Sequence, residues 1–239
     1  MEYHLLIANN PEKVIVEIKN KNCILNETIK PCPDINSLSD FAVYHYWSNS
    51  ESVNVFQVIG TAHPDYNNGI SWIDMLRVGK RNLSLLATNP SYYYEQTKKE
   101  PVMHYARIND EIYILREGNH RTAIAKVLFF YTGNTVLNGI EFEEYRIDFN
   151  LMKQYHELKD LLFKKYPHVE IEVAKRIIKR EDTSGWKKDY YEILFKFINH
   201  KKGKQFEVKS NKIDDLYKEL CQSNWIKKLL RKDRIVNFF

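Results

Sequence analysis

Apolar and polar positions change rhythm along this 239-residue chain, and the changes mark three stretches. Over residues 1–50 short alternating runs dominate. Residues 3–8, 14–18 and 23–25 read as strands separated by Asn-Asn-Pro and Lys-Asn-Lys-Asn turns. Pro31 and Pro33 break the chain. Residues 34–37 then cap an expected helix through Leu38, Phe41, Ala42 and Tyr46.

Residues 51–150 carry clearer signals. A core strand over 53–59 ends at Gly60, and Ser71 starts a short helix reaching Leu76. Asn82 opens another helix with Leu83, Leu85 and Leu86, and Asn89-Pro90-Ser91 begins a helical turn through Tyr92, Tyr93 and Tyr94. Strands over 102–105 and 112–115 flank a hairpin turn at Asn109-Asp110-Glu111. Residues 121–130 then have helical spacing, with Ala123, Ala125, Val127 and Leu128 available for packing and Gly133 as the stop. Residues 140–147 alternate as a strand that returns beside the first.

After residue 150 the order becomes helix, three strands, helix. An amphipathic helix over 151–166 is ended by Pro167, and strands follow over 169–178, 190–198 and 206–208. A final helix is expected from Ile213 to Leu230. This is also the order of a double-stranded-RNA-binding domain, although the glycine- and lysine-rich loop that opens the last helix of such domains is missing. The pattern therefore predicts an α+β protein: an N-terminal β extension (1–50), a central domain (51–150) and a C-terminal βββα unit with a leading helix (151–239).

Charge separates the last stretch from the others. Residues 151–239 hold 22 Lys and Arg against 13 Asp and Glu, whereas residues 1–150 hold 14 against 18. A basic back half points to a polyanion partner. Candidate phosphate-contacting residues are Lys175, Arg176, Lys179, Arg180, Lys201, Lys202, Lys227, Lys228 and Arg231, and such contacts would give salt-sensitive, sequence-independent binding to nucleic acid. The bland alternative is a solvated face. No apolar run approaches the roughly 18 residues of a membrane span, and the first residues lack a basic signal-peptide segment, so a cytoplasmic protein with no membrane partner is expected. Cys23, Cys32 and Cys221 have no metal-binding spacing and read as reduced thiols.

The chemistry concentrates at Glu117-Gly118-Asn119-His120-Arg121. A strand that runs directly into a helix leaves the first backbone N–H groups of that helix unpaired, and these attract an anion together with the helix dipole. Gly118 permits close approach, Asn119 suits an N-cap, and Arg121 suits bidentate contact with phosphate. His120 and Thr122 complete the expected phosphate cradle. Glu117 and His120 are the candidate catalytic acid/base groups, and Asp65 or Asp74 are further carboxylates within the same stretch. The plain structural reading is that Glu117 pairs with Arg121 and His120 is a surface residue. Tyr92, Tyr93 and Tyr94 could stack on bases, but they suit a core better.

Tyr113-Ile114-Leu115-Arg116-Glu117-Gly118-Asn119-His120-Arg121-Thr122-Ala123 resembles the ParB/sulfiredoxin superfamily, over about residues 102–147. The resemblance implies a ParB/sulfiredoxin-like central domain that handles nucleotide or nucleic-acid phosphate at this turn, with Mg²⁺ or Mn²⁺ and a nucleotide such as ATP or CTP as possible cofactors. Asn119 stands where sulfiredoxins carry their cysteine, which removes sulfinic-acid repair. The expected strands over 169–208 leave no place for the helix-turn-helix of partition proteins. Phosphodiester cleavage or phosphoryl transfer is the leading expectation. A non-catalytic nucleic-acid-binding or nucleotide-sensing module comes second, and a kinase for a small hydroxyl substrate, similar to the free-serine kinases, third.

Overall fold

The computed structural model describes residues 2–221. Its first elements correct the expected β extension. Helices α1 (Tyr3–Asn9) and α2 (Pro11–Lys19) are followed by a 3₁₀ turn at Ile24–Asn26. Pro11 sits at the first helical position of α2, where its missing N–H costs nothing. A strand would put Val14, Val16 and Ile18 on one face. Instead Val14, Ile15 and Ile18 are fully buried with Ile7, and Val16 is 60% exposed. That is helical periodicity compressed into a run short enough to pass for alternation.

β1 (Lys30–Pro31) and a single turn of helix, α3 (Ile35–Ser39), come next. The helix expected through Tyr46 stops at Ser39, because Val43-Tyr44-His45-Tyr46-Trp47 is a β-branched and aromatic run that favours extended backbone. It forms β2 (Ala42–Asn54), and after a 3₁₀ turn β3 (Val58–Thr61) follows. From here the elements keep the expected order: α4 (Lys80–Thr88), β4 (His104–Ile108), β5 (Glu111–Ile114), α5 (Asn119–Thr132) and β6 (Val136–Ile147). α6 (Phe149–Lys165), β7 (Val169–Asp182), β8 (Trp186–Asn199), β9 (Lys204–Lys209) and α7 (Ile213–Cys221) complete the described chain. The class is mixed α+β, with nine strands and seven α-helices among the described residues.

The chain divides into two units. The first comprises residues 1–35, 46–145 and 182–188, so the N-terminal helices fold with the central segment rather than as an extension of their own. Its strands run in the order β1-β3-β5-β4-β6-β2. β1, β3 and β5 are mutually parallel, β4 is antiparallel to β5, and β6 is parallel to β4. β3 and β5 therefore end at the edge of the sheet where β4 begins, and three connections meet there. α5 is buried over most of its circumference by Ala123, Ile124, Val127, Leu128 and Phe129, in one cluster with Ile7, Val14, Ile15 and Trp72.

Lys126 interrupts that cluster. It is fully buried, its Nζ donates to Val58 O at 2.8 Å, and it lies 4.3 Å from the centroid of the Trp72 ring. Burial pushes its pKa down to about 7, with Glu27 pulling weakly the other way.

Among the described residues the second unit comprises 36–45, 146–181 and 189–221. It keeps the expected order of helix, three strands and helix. Asp148 caps α6 by accepting from Leu151 N at 2.8 Å. Leu151, Tyr155, Leu158 and Leu162 form the buried face of α6, and Tyr155 stacks on Phe195 of β8. β9 pairs antiparallel with β8, and their rings Phe206 and Phe197 stack at 4.9 Å. The part of the last helix expected beyond Cys221 lies outside the described residues.

The buried lysine generates a prediction. The folded pKa lies below the unfolded value, so between about pH 7 and pH 10 the unfolded chain binds a proton that the folded chain does not. Stability from this residue then rises with pH, at up to about 1.4 kcal/mol per unit. Lys126→Met is expected to stabilise the protein most at or below pH 7, with the advantage shrinking toward pH 10. Denaturant unfolding of both forms across that window checks it, and parallel pH curves would refute it.

Candidate functional site

The three connections at the end of β3 and β5 enclose a cleft of about 450 Å³. After β3, Thr61 is fully buried and anchors the turn: its Oγ1 accepts from His63 N at 3.0 Å, and Ala62 N donates to Ile114 O at 2.8 Å. This brings His63 and Tyr66 to the cleft wall. The segment entering β4 adds Glu100 and Pro101. The turn leaving β5 adds residues 116–121, and α4 with the turn after it adds Arg81, Asn82, Leu85, Tyr92 and Tyr93. A crevice beyond the carboxyl ends of parallel strands is where α/β sheets present ligands.

The strand–turn–helix forms as expected, with a shifted cap. Gly118, not Asn119, is the cap residue: its φ is +117°, and its carbonyl accepts from Thr122 N at 2.7 Å. The left-handed backbone requires glycine here, and a Cβ would also crowd the Met103 side chain, its Cε at 2.9 Å. Asn119 consequently moves into the first helical turn. It is 7% exposed and lines the cleft, and among the described residues its side chain has no hydrogen-bond partner. The N–H groups of residues 119–121 have no acceptor within the helix.

Two expected phosphate contacts are committed elsewhere. Thr122 is fully buried; its Oγ1 donates to Gly118 O at 2.7 Å and accepts from Tyr105 Oη at 2.6 Å. Arg121 donates from Nη1 to Tyr92 Oη at 2.7 Å and to Pro101 O, and from Nη2 to Val102 O at 3.0 Å. Its guanidinium ties α5 to the segment entering β4, which leaves two of its five N–H groups for a ligand. Glu117 is exposed at the cleft and does not pair with Arg121 among the described residues.

His120 is half-buried between two neighbours. Its Nε2 lies 3.0 Å from Tyr66 Oη, and its Nδ1 is buried without a partner against Gly79, the cap residue of α4. Burial holds its pKa below the ordinary histidine value, and His63 lowers it further. Both effects favour the neutral ring. Sequence reading missed Tyr66, Arg81, Arg116 and Glu100. Arg116 directly precedes the turn, whereas Tyr66, Arg81 and Glu100 lie up to 55 positions away and only the tertiary fold brings them to it.

The other candidates are placed elsewhere. Asp74 is held by Ser71 at 2.6 Å, Lys19 at 2.8 Å and Arg77 at 2.5 Å, as a structural ion cluster. Asp65 is exposed and does not line the cleft. The three tyrosines divide: Tyr93 is buried, Tyr92 faces the cleft, and Tyr94 is 43% exposed beside Phe129.

In the second unit the cations of β7 are largely paired. Arg180 binds Asp189, itself 1% exposed, through Nε at 2.6 Å and Nη2 at 3.1 Å. Lys179 pairs with Glu181 at 2.5 Å, and Arg176 lies 3.8 Å from Glu207 and 3.9 Å from Glu192. Lys175 donates to Ser39 O at 2.6 Å. Lys201 and Lys202 are exposed on the turn between β8 and β9. Lys227, Lys228 and Arg231 lie outside the described residues.

Arg121→Ala is expected to destabilise the fold by about 1.5–3 kcal/mol, the range for lost hydrogen bonds to a charged group. Arg121→Lys should restore only part of this, because an ammonium cannot reproduce the fork. Thermal unfolding reads the effect, and an unchanged midpoint in the alanine variant would free the guanidinium for ligand contact. The chain matches no model of a known protein family, and neither a curated protein nor a solved structure shows a significant likeness to it.

Proposed function

We propose that this protein acts on the phosphate of a nucleotide or of nucleic acid, by phosphodiester cleavage or phosphoryl transfer, in the cleft over the start of α5. In this reading the first unit is a ParB/sulfiredoxin-like domain. The observation that carries it is the floor of the cleft: unpaired N–H groups at the start of a 14-residue helix, with Asn119 nine-tenths buried beside them and unpartnered. The Asn119 amide reaches the cleft with no protein partner among the described residues, so its N–H groups can donate to the acceptor oxygens of a ligand. Arg81 and Arg116, exposed on the cleft wall, add positive potential. A volume of about 450 Å³ accommodates a mononucleotide or the frayed end of a strand rather than a duplex.

Within this assignment, residues 119–121 hold the phosphate through backbone N–H groups and the Asn119 amide. Glu117 is the acid/base group, or the carboxylate facing a metal. Mg²⁺ or Mn²⁺ would take Glu117, with Glu100 on the same cleft, and the phosphates of the ligand. One or two carboxylates completed by substrate oxygens suit such a cation. A bound metal would supply charge neutralisation of the phosphate oxygens.

A non-catalytic module remains the second reading, and one observation favours it. Both ring nitrogens of His120 are turned to protein, one on Tyr66 and one against Gly79. Direct proton transfer from His120 to a ligand would need the ring to leave both neighbours.

The test offers labelled single- and double-stranded DNA and RNA, ATP and CTP, with Mg²⁺ or Mn²⁺, to wild type, Asn119→Ala and Glu117→Gln. Asn119→Ala should weaken binding about tenfold. Glu117→Gln should preserve binding and slow turnover by about 100-fold or more. Polymer cleavage identifies a nuclease, and nucleotide turnover without cleavage moves the small-hydroxyl kinase to first place. Binding with no product in any lane establishes the non-catalytic module. No binding of any probe would refute the phosphate assignment.

A further inference from the structure

The arrangement around His120 decides which way a neighbouring proton points. Nδ1 is buried without a partner among the described residues, and a Cβ at Gly79 would stand only 3.1 Å from it. Gly79 is the cap of the nine-residue helix α4, so this nitrogen lies beside the positive end of a helix dipole. A proton on Nδ1 would meet like charge there, whereas a lone pair is favoured. Burial and His63 keep the ring neutral, so a single ring proton has to be placed. It belongs on Nε2, 3.0 Å from Tyr66 Oη.

This settles the role of the phenol. If Nε2–H donates to Tyr66 Oη, the hydroxyl of Tyr66 accepts from the ring and its own proton turns away from it. The tyrosine ring is fixed on its other side, stacked on His63 at 4.6 Å, and His63 Nδ1 in turn accepts from Asp65 N at 3.3 Å. Tyr66 lines the same cleft as Gly118 and Asn119.

We infer that Tyr66 is a neutral hydrogen-bond donor to the phosphate group bound over the start of α5, and that His120 is the positioning residue that aims its O–H into the cleft. The inference rests on the phosphate reading of the cleft. It replaces direct contact by His120 with contact through Tyr66, and it gives Gly79 a purpose, since a larger residue there would displace the imidazole. The ligand chemistry it selects is an oxyanion with an acceptor oxygen near the phenol. No proton has to be transferred.

Two measurements test it. Long-range ¹H–¹⁵N correlation on uniformly labelled wild type reports the tautomer of His120, assigned by the loss of its signal in His120→Gln. Titration with inorganic phosphate then compares wild type with Tyr66→Phe, His120→Ala and His120→Gln, with thermal unfolding to confirm that each is folded. The expected result is the Nε2–H tautomer, with phosphate affinity about 10- to 100-fold weaker in Tyr66→Phe and in His120→Ala, the range for a lost bond to a charged group. His120→Gln should stay within about threefold of wild type, because its amide N–H can take the place of Nε2–H. An Nδ1–H tautomer would overturn the inference without any variant, since the phenol proton would then point at the ring. Unweakened binding in Tyr66→Phe would overturn it while leaving the phosphate reading intact. Failure of wild type to bind phosphate, with the Nε2–H tautomer present, would overturn the phosphate reading and this inference with it.

Discussion

Thr122 carries the hydrogen bonds on which the site depends. Its hydroxyl has one proton, which goes to Gly118 O, so Tyr105 must be the donor in the bond they share. That chain fastens the first turn of α5 to β4 inside a dry core, where an unsatisfied hydroxyl would be expensive. With the turn fixed, Gly118 has to adopt its left-handed conformation, Asn119 has to turn into the cleft, and His120 has to fall between Tyr66 and Gly79. Thr122 thus shapes the cradle without touching a ligand.

Charge was the least transferable part of the sequence reading. The excess of Lys and Arg after residue 150 is real, but a count of charges is blind to pairing. On β7 the cations meet carboxylates from β8, from β9 and from their own strand. The Arg180–Asp189 pair, with its nearly buried carboxylate, gives little net attraction, because desolvation offsets much of it. In the cleft the situation is reversed. Arg81 and Arg116 lie outside the basic back half, yet both line the cleft at the start of α5 with no carboxylate bound to them among the described residues.

What could be read from the sequence follows the range of the forces involved. The strand–turn–helix at residues 111–132 was legible because its signals are local: an apolar run, a glycine that only one backbone region suits, and small residues at helical spacing. Gly133, at φ +78°, ends the helix where expected. The N-terminal helices were not legible as helices, because five residues such as Val14 to Ile18 satisfy both periodicities. Only the buried partners of Ile15 decide between them. Tyr66, Arg81 and Glu100 were invisible for a different reason. Their approach to residue 118 is a product of strand order, with β3 beside β5 and β4 beside both β5 and β6, and no short-range pattern encodes that order.

The cleft is built from two kinds of position. Its floor, Gly118 and Asn119 with Thr122 and Tyr105 behind them, is bound up with folding, so a change there risks the whole first unit. Its rim, Arg81, Glu100, Arg116 and Glu117, is exposed and held by no side-chain hydrogen bond among the described residues. Substitutions on the rim alter shape and charge at almost no cost to stability. Were the cleft to hold an anion as proposed, descendants of this chain could exchange one ligand for another by drifting at the rim, while the floor stayed the same. Selection on what the cleft accepts and selection for a stable fold would then act on separate residues.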